Sequence, residues 1–196
     1  MIARIIRKIR SILNRAINLY RLKRSGVIFG RWIIQGRIHI VNNGGRLTIG
    51  NNFTANAGKR ENPIGGDTVL NLIVHTKEAS LTIGENVGIS NSTIVCWQEI
   101  NIGNNVVIGG GCKIWDTNFH SLHPAIRTGG KDNDIRTSPI HIKDNVFIGG
   151  GVIILKGVTI GENAVIAAGS VVTRDIPANA LAGGNPCRVI KTLNFT

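Results

Sequence analysis

One irregular stretch of the chain gathers residues that could do chemistry. Residues 115–139 carry Trp115, Asp116, His120, His123, Pro124 and Arg127. An imidazole changes charge near neutral pH, so a loop histidine can take a proton from a weak nucleophile as it attacks. One base suffices for such a step. Asp116 either orients the loop or a histidine, or caps the start of the loop. A second group is Gly149-Gly150-Gly151. Backbone N–H groups at a glycine-rich turn can hold a developing oxyanion without a side chain, although tight corners need glycine in any case. His75, His120 and His123 would be the set for a zinc enzyme, but no supporting second layer of groups is evident around them. Cys96, Cys112 and Cys187 are odd in number and widely spaced, with no zinc or redox spacing. They read as reduced, buried thiols of a cytoplasmic protein.

The elements that must position these groups are repeats. From Ile142, steps of six reach Ile148, Ile154, Ile160, Ile166 and Val172, all β-branched. From Val146, the same step reaches Val152, Val158, Ala164 and Ser170. A period of six fits neither a helix nor a half-buried strand. It fits one short strand plus one turn, forming one side of a triangular coil whose aliphatic residues stack on their equivalents in the next coil. Gly, Asn and Asp at the corners accept the positive φ that corners need. The pattern recurs at Ile102, Ile108 and Ile114, and at Ile83, Ile89 and Val95, with Leu47-Thr48-Ile49-Gly50-Asn51-Asn52 as the first clear coil. A bulge is expected between Val95 and Ile102. Two stretches break the period and read as loops: 54–69, and the excursion 115–139. Scarce aromatics (5%) beside 25 glycines agree with short strands and tight turns.

Charge is unevenly placed. The formal net charge is +12, and residues 1–24 hold eight basic residues and no acid. Ile2, Ile5, Ile6, Ile9, Ile12, Leu13, Ala16, Ile17 and Tyr20 fall on one helical stripe opposite the basic face. This amphipathic helix either adsorbs to an anionic membrane surface, or caps the open end of the coil or packs in an oligomer. The body shows neither a basic stripe nor interleaved aromatics, so nucleic acid is not an expected partner. No signal peptide or membrane span is expected, because the apolar residues are interrupted every few positions. The expected organisation is a basic amphipathic helix at 1–24, an all-β coil at 25–177 with the excursion 115–139, and a C-terminal extension at 178–196.

Four stretches carry a family resemblance: Asp116-Thr117-Asn118-Phe119-His120, Gly157-Val158-Thr159-Ile160-Gly161, the run 168–177 from Ala168-Gly169-Ser170 to Asp175-Ile176-Pro177, and Gly184-Asn185-Pro186-Cys187-Arg188-Val189-Ile190. The chain resembles the hexapeptide-repeat acyltransferases, nearest the maltose, galactoside and capsular-polysaccharide O-acetyltransferases. The resemblance implies a left-handed parallel β-helix, a homotrimer with sites between subunits, acetyl-CoA as co-substrate with no metal, and a sugar hydroxyl as acceptor. It implies that His120 is the general base. Asn91, Asp116, His123 and Arg127 are then expected near the acceptor. Asn91 is equally readable as a corner residue, and His123 as loop structure. Gly150, Ala168, Thr173, Arg174, Arg188 and Lys191 are expected along the acetyl-CoA path, where the basic ones would meet phosphates. A role in capsule, exopolysaccharide or lipopolysaccharide assembly follows from the nearest branch, in the cytoplasm or on the inner face of the membrane. The rivals are a γ-type carbonic anhydrase-like zinc enzyme and a non-enzymatic β-helix binding protein, since fold alone does not fix function.

Overall fold

The structure is a computed structural model that describes residues 2–66, 68–130 and 132–195; Met1, Asp67, Lys131 and Thr196, which fall within the helix, loop, excursion and extension expected above, lie outside the described residues. Three parallel sheets form the faces of a prism. One runs through the strands Ile28–Phe29, Arg46–Ile49, Ser80–Ile83, Glu99–Ile102, Ile140–Ile142 and Thr159–Ile160. The second runs from Trp32–Gly36 through Phe147–Ile148 and Val165–Ile166 to Ala180–Gly183, and the third from His39–Asn42 to Val171–Val172. Each step of six moves the chain to the next face. Ile142, Ile148 and Ile154 therefore lie on three different sheets, and Ile160, Ile166 and Val172 pair directly above them. All six are buried. Hydrophobic burial of this kind is spread along the axis, each coil closing the one before it.

An asparagine ladder marks one corner. Asn52, Asn86, Asn105, Asn145, Asn163 and Asn179 all have φ between 56° and 60°. Each of the first five donates its side-chain amide to the Oδ1 of the next, at 2.8–3.1 Å. Asparagine tolerates the left-handed region better than other side chains. It also satisfies polar groups that the corner would otherwise leave open.

Three expectations need correction. Ile94, not Val95, is the inward residue of its coil; Val95 faces outward beside Trp115. The extra residues lie in the turn after Cys96, within the 95–102 stretch where the bulge was expected. Residues 54–57 are not loop: Phe53–Ala57 is a strand paired on both sides, and alternation of Phe53, Ala55 and Ala57 into the core explains it. The coil also extends past residue 177, because Ala180–Gly183 still pairs in parallel with Val165–Ile166; only Arg188–Thr192 turns back antiparallel.

The N-terminal helix α1 spans Ile2–Arg24. It lies on the coil through a polar face. Asn18 donates to Gly36 O at 3.0 Å and accepts from the Ile38 N–H at 3.2 Å. Asn14 accepts from Arg37 Nε at 2.8 Å, and Arg10 pairs with Glu61 at 2.9 Å. Leu22 is the apolar anchor, buried with Phe53 and packed near Phe29 and Trp32. The apolar stripe points away: Ile2, Ile5, Ile6, Ile9, Ile12, Leu13 and Tyr20 are all exposed. The stripe therefore does not cap the coil within this chain.

Candidate active site

The excursion leaves the prism after Trp115 and returns at Ile140. Its neck is zipped by an isolated bridge between Thr117 and Thr137, by Asn118 N–H to Arg136 O at 3.0 Å and by Ser138 N–H to Asp116 O at 2.9 Å. Beyond the neck a short helix, α2 (Pro124–Thr128), starts with Pro at its first turn, where the missing N–H costs nothing.

His120 stands exposed at the start of this loop. Its Nδ1 is 2.8 Å from Asp132 Oδ2. An Nδ1–H held by a carboxylate leaves Nε2 as the free lone pair, aimed away from that carboxylate. Asp132 is itself fixed, because its Oδ1 accepts the Ser121 N–H at 2.7 Å. That backbone hydrogen bond, with the nearby His120 and Arg127, holds the Asp132 carboxyl below the usual carboxylate range. Exposed ion pairs add little stability, so the pair's contribution is orientation. Phe119, just before His120, has φ 61° and is part of an aromatic group with Trp97 and Trp115, at centroid distances of 6.2 and 6.1 Å. A bulky residue in that region is strained and persists only where its surroundings hold it.

The other expected site residues divide. Arg127 donates to Ser121 O at 2.7 Å, so it braces the loop under His120. His123 precedes α2 with an exposed side chain that makes no cap hydrogen bond. Asp116 is buried, and its carboxylate accepts from the backbone N–H groups of Trp97, Gln98 and Glu99 at 2.7, 2.7 and 2.8 Å. It closes the turn that carries the extra residues of that coil. Asn91 is likewise buried and committed: its amide donates to Gly58 O and Asn62 O at 3.0 and 2.7 Å, and its Oδ1 accepts the Gly58 N–H. It pins the loop that follows Ala57. Asp116 and Asn91 are thus both engaged in structural hydrogen bonds. Both carboxylate and amide were legible as polar groups near irregular chain, but not which backbone would claim them.

Gly150 and Ala168 belong to one stacked corner. Gly150 O accepts the Gly169 N–H at 2.9 Å, and a side chain at Gly149 would meet Ala168 N at 2.6 Å. A side chain at Gly150 would press on Gly110 O and Ile64 at 3.1 Å. Thr173 and Arg174 lie exposed at the next corner, and Arg188 and Lys191 lie exposed on the final strand. The His75 ring stacks on Trp97 at 4.0 Å. Among the described residues no three His, Cys, Asp or Glu side chains come together as a metal site. Sequence reasoning missed Asp132, which carries no motif, and Ser121. All three cysteines are buried and unpaired, and burial pushes their thiols up.

A coil of hexads with one excursion loop defines the class: a parallel β-helix protein. Comparison with known proteins agrees. Residues 139–174 match the family model described as bacterial transferase hexapeptide (six repeats). The galactoside O-acetyltransferase of Escherichia coli K12 is 46% identical over 104 residues, which is 53% of this chain and 49% of the relative. A hexapeptide-repeat acetyltransferase of Vibrio cholerae, solved with acetyl coenzyme A, superposes with a TM-score of 0.60 at 26% identity, covering 98% of this chain and 89% of its own. A maltose O-acetyltransferase of Clostridium difficile 630 gives 0.59 at 29% identity, covering 96% and 87%. Residues 139–174 carry the hexapeptide transferase repeat, the chain is similar to hexapeptide-repeat acetyltransferases, and its coil is the left-handed parallel β-helix. It spans about half the length of the curated relatives it matches.

Proposed function

We propose that this chain is an acetyltransferase that moves the acetyl group of acetyl-CoA to a sugar hydroxyl, with His120 as general base. The observation that carries this reading is the Asp132–His120 pair, which leaves Nε2 free at the rim of a rigid coil. As the hydroxyl oxygen attacks the thioester carbon, Nε2 takes its proton. The C–S bond of the tetrahedral intermediate then breaks, and the imidazolium returns the proton to the CoA sulfur. Developing negative charge on the carbonyl oxygen calls for N–H donors; in the Gly149–151 corner the Gly149 and Gly151 N–H groups donate to Ile166 O and Gly110 O, which leaves the Gly150 N–H as the candidate. Ala168, Thr173 and Arg174 would follow the pantetheine arm, with Arg188 and Lys191 near the phosphates. Relatives named galactoside and maltose O-acetyltransferase support a sugar acceptor.

In this reading the active enzyme is a homotrimer, with acetyl-CoA lying between prisms. The acceptor belongs to capsule, exopolysaccharide or lipopolysaccharide assembly on the cytoplasmic side. We further infer that residues 1–24 adsorb to an anionic membrane surface there. What supports this is the direction of α1: its asparagines face the coil, and its isoleucines face outward beside basic residues. No helix among the described residues is long and apolar enough to cross a membrane. Adsorption in the plane of the surface suits such a helix.

A panel of acyl-CoA donors against glycan acceptors, read by thiol release, tests the reaction. Release with acetyl-CoA and a hydroxylated glycan is expected. Acetyl-CoA binding without release to any glycan would leave the non-enzymatic reading, and stoichiometric zinc with bicarbonate turnover would leave the carbonic anhydrase-like one.

A further inference from the structure

A cleft between α1 and the strand Trp32–Gly36 is left unused by the acetyl-transfer reading. It encloses about 500 Å³ and is lined by Arg15 and Leu19 from the helix and by Arg31, Trp32, Ile33 and Thr54, among others, from the coil. The Arg15 guanidinium lies 5.8 Å from the centre of the Trp32 ring. Among the described residues neither Arg15 nor Arg31 has an ion-pair partner. Two unpaired guanidiniums beside an apolar wall suit a phosphate that carries an apolar tail.

The surroundings narrow the occupant. Leu19 joins the cleft to the exposed stripe of α1, and Ile33 is itself 67% exposed. A second hollow of about 780 Å³ shares Ile33 and leads along the helix to Arg4, Arg7 and Lys8. No acidic residue lies in α1. Basic groups thus run beside an apolar face that none of the described residues of this chain covers. Charge complementarity points to an anionic bilayer rather than to another copy of this basic helix, which would be repelled.

We propose that this cleft is a binding site for the phosphate headgroup of an anionic phospholipid, with the outward face of α1 lying in the acyl layer beside it. The proposal rests on the membrane-adsorbing reading of α1 and adds a discrete site to it. Diffuse adsorption needs only a charged surface; a site binds one lipid molecule.

The test uses the full chain and dihexanoyl phosphatidylglycerol below its micelle-forming concentration, read by tryptophan emission. A saturable change is expected, absent in Trp32→Phe and absent with dihexanoyl phosphatidylcholine. Arg15→Ala/Arg31→Ala should weaken it by about tenfold or more, as expected for two lost phosphate contacts. Lys23→Ala/Arg24→Ala, which removes equal charge outside the cleft, should leave it within about twofold. Arg15→Lys/Arg31→Lys, which keeps the charge, controls for folding and should retain most of the response. An equal response to glycerol phosphate alone would overturn the lipid assignment in favour of free phosphate. Sedimentation with phosphatidylglycerol vesicles separates the two readings. Vesicle binding without a saturable short-lipid response overturns the cleft and leaves the adsorbing helix. If vesicle binding is absent as well, both fall, and a change of oligomeric size on substituting Ile5 and Ile9 by Ser would assign the stripe to a second copy.

Discussion

His120 Nδ1 and Asp132 Oδ2 meet at 2.8 Å across the excursion loop, and Asp132 is held in turn by the Ser121 N–H. Among the described residues, the Asp132 carboxylate is the hydrogen-bond partner of this exposed imidazole, and the pair orients it. If His120 is the base, His120→Ala should lower turnover by about 10²–10⁴-fold with acetyl-CoA binding retained. Asp132→Asn should lower kcat by less than that ~10²–10⁴, because the imidazole remains but loses its preferred orientation. Steady-state kinetics on both variants, with CoA affinity measured separately, checks this. Near-normal turnover of His120→Ala removes it from the role.

The carboxyl of Asp132 titrates below its ordinary range, chiefly because the Ser121 N–H stabilises the charged form. The sign follows from linkage: a depressed folded value means that the anchor is fully present above the ordinary carboxylate range and is lost as pH falls through the depressed value. An NMR titration of Asp132 should therefore give a midpoint below about 3.9. From there to neutral pH, Asp132 should contribute no change in loop order. A midpoint at or above the ordinary value would mean that the Ser121 contact does not form in solution.

Asp116 is expected to matter for stability. Removing its carboxylate by Asp116→Ala leaves three backbone N–H groups without their acceptor, at about 1–3 kcal/mol for each donor that stays buried. Asp116→Asn keeps one acceptor oxygen but turns an NH₂ group toward the remaining donors, so it should also destabilise, by less than the alanine change. Thermal or urea unfolding is the measurement. Unchanged stability with a raised KM for acceptor would return Asp116 to substrate contact.

The asparagine ladder inverts a common order. Asn145 has φ 60° and makes ladder hydrogen bonds to both Asn105 and Asn163. Asn145→Ala adds about 1–2 kcal/mol of left-handed strain to the lost hydrogen bonds. Asn145→Gly loses the bonds without the strain. Tm should fall in the order wild type, Gly, Ala. An Ala variant more stable than the Gly variant would contradict the backbone assignment.

Ile142 through Val172, spaced by six, were enough to specify the prism, because each step carries the chain to the next face and burial there depends only on the neighbouring coil. The left-handed corners at Asn145 and Asn163 were legible for the same local reason. The excursion could be bounded from the sequence because the beat stops at Ile114 and resumes at Ile140. His120 could be singled out within it by residue type and motif. The same beat misled at Val95, where one slipped residue turned the inward position over to Ile94.

Tertiary structure alone decided what the polar side chains do. Asp132 reaches His120, Asp116 reaches the 97–99 amides, and Asn91 reaches Gly58 and Asn62, all through places where irregular chain happens to return. Such meetings have no period, so spacing along the chain does not encode them. The direction of α1 was decided in the same way. Its apolar stripe was plain in the sequence, but Asn14 and Asn18 found the carbonyl, amide and guanidinium groups of residues 36–38, and that turned the isoleucines outward.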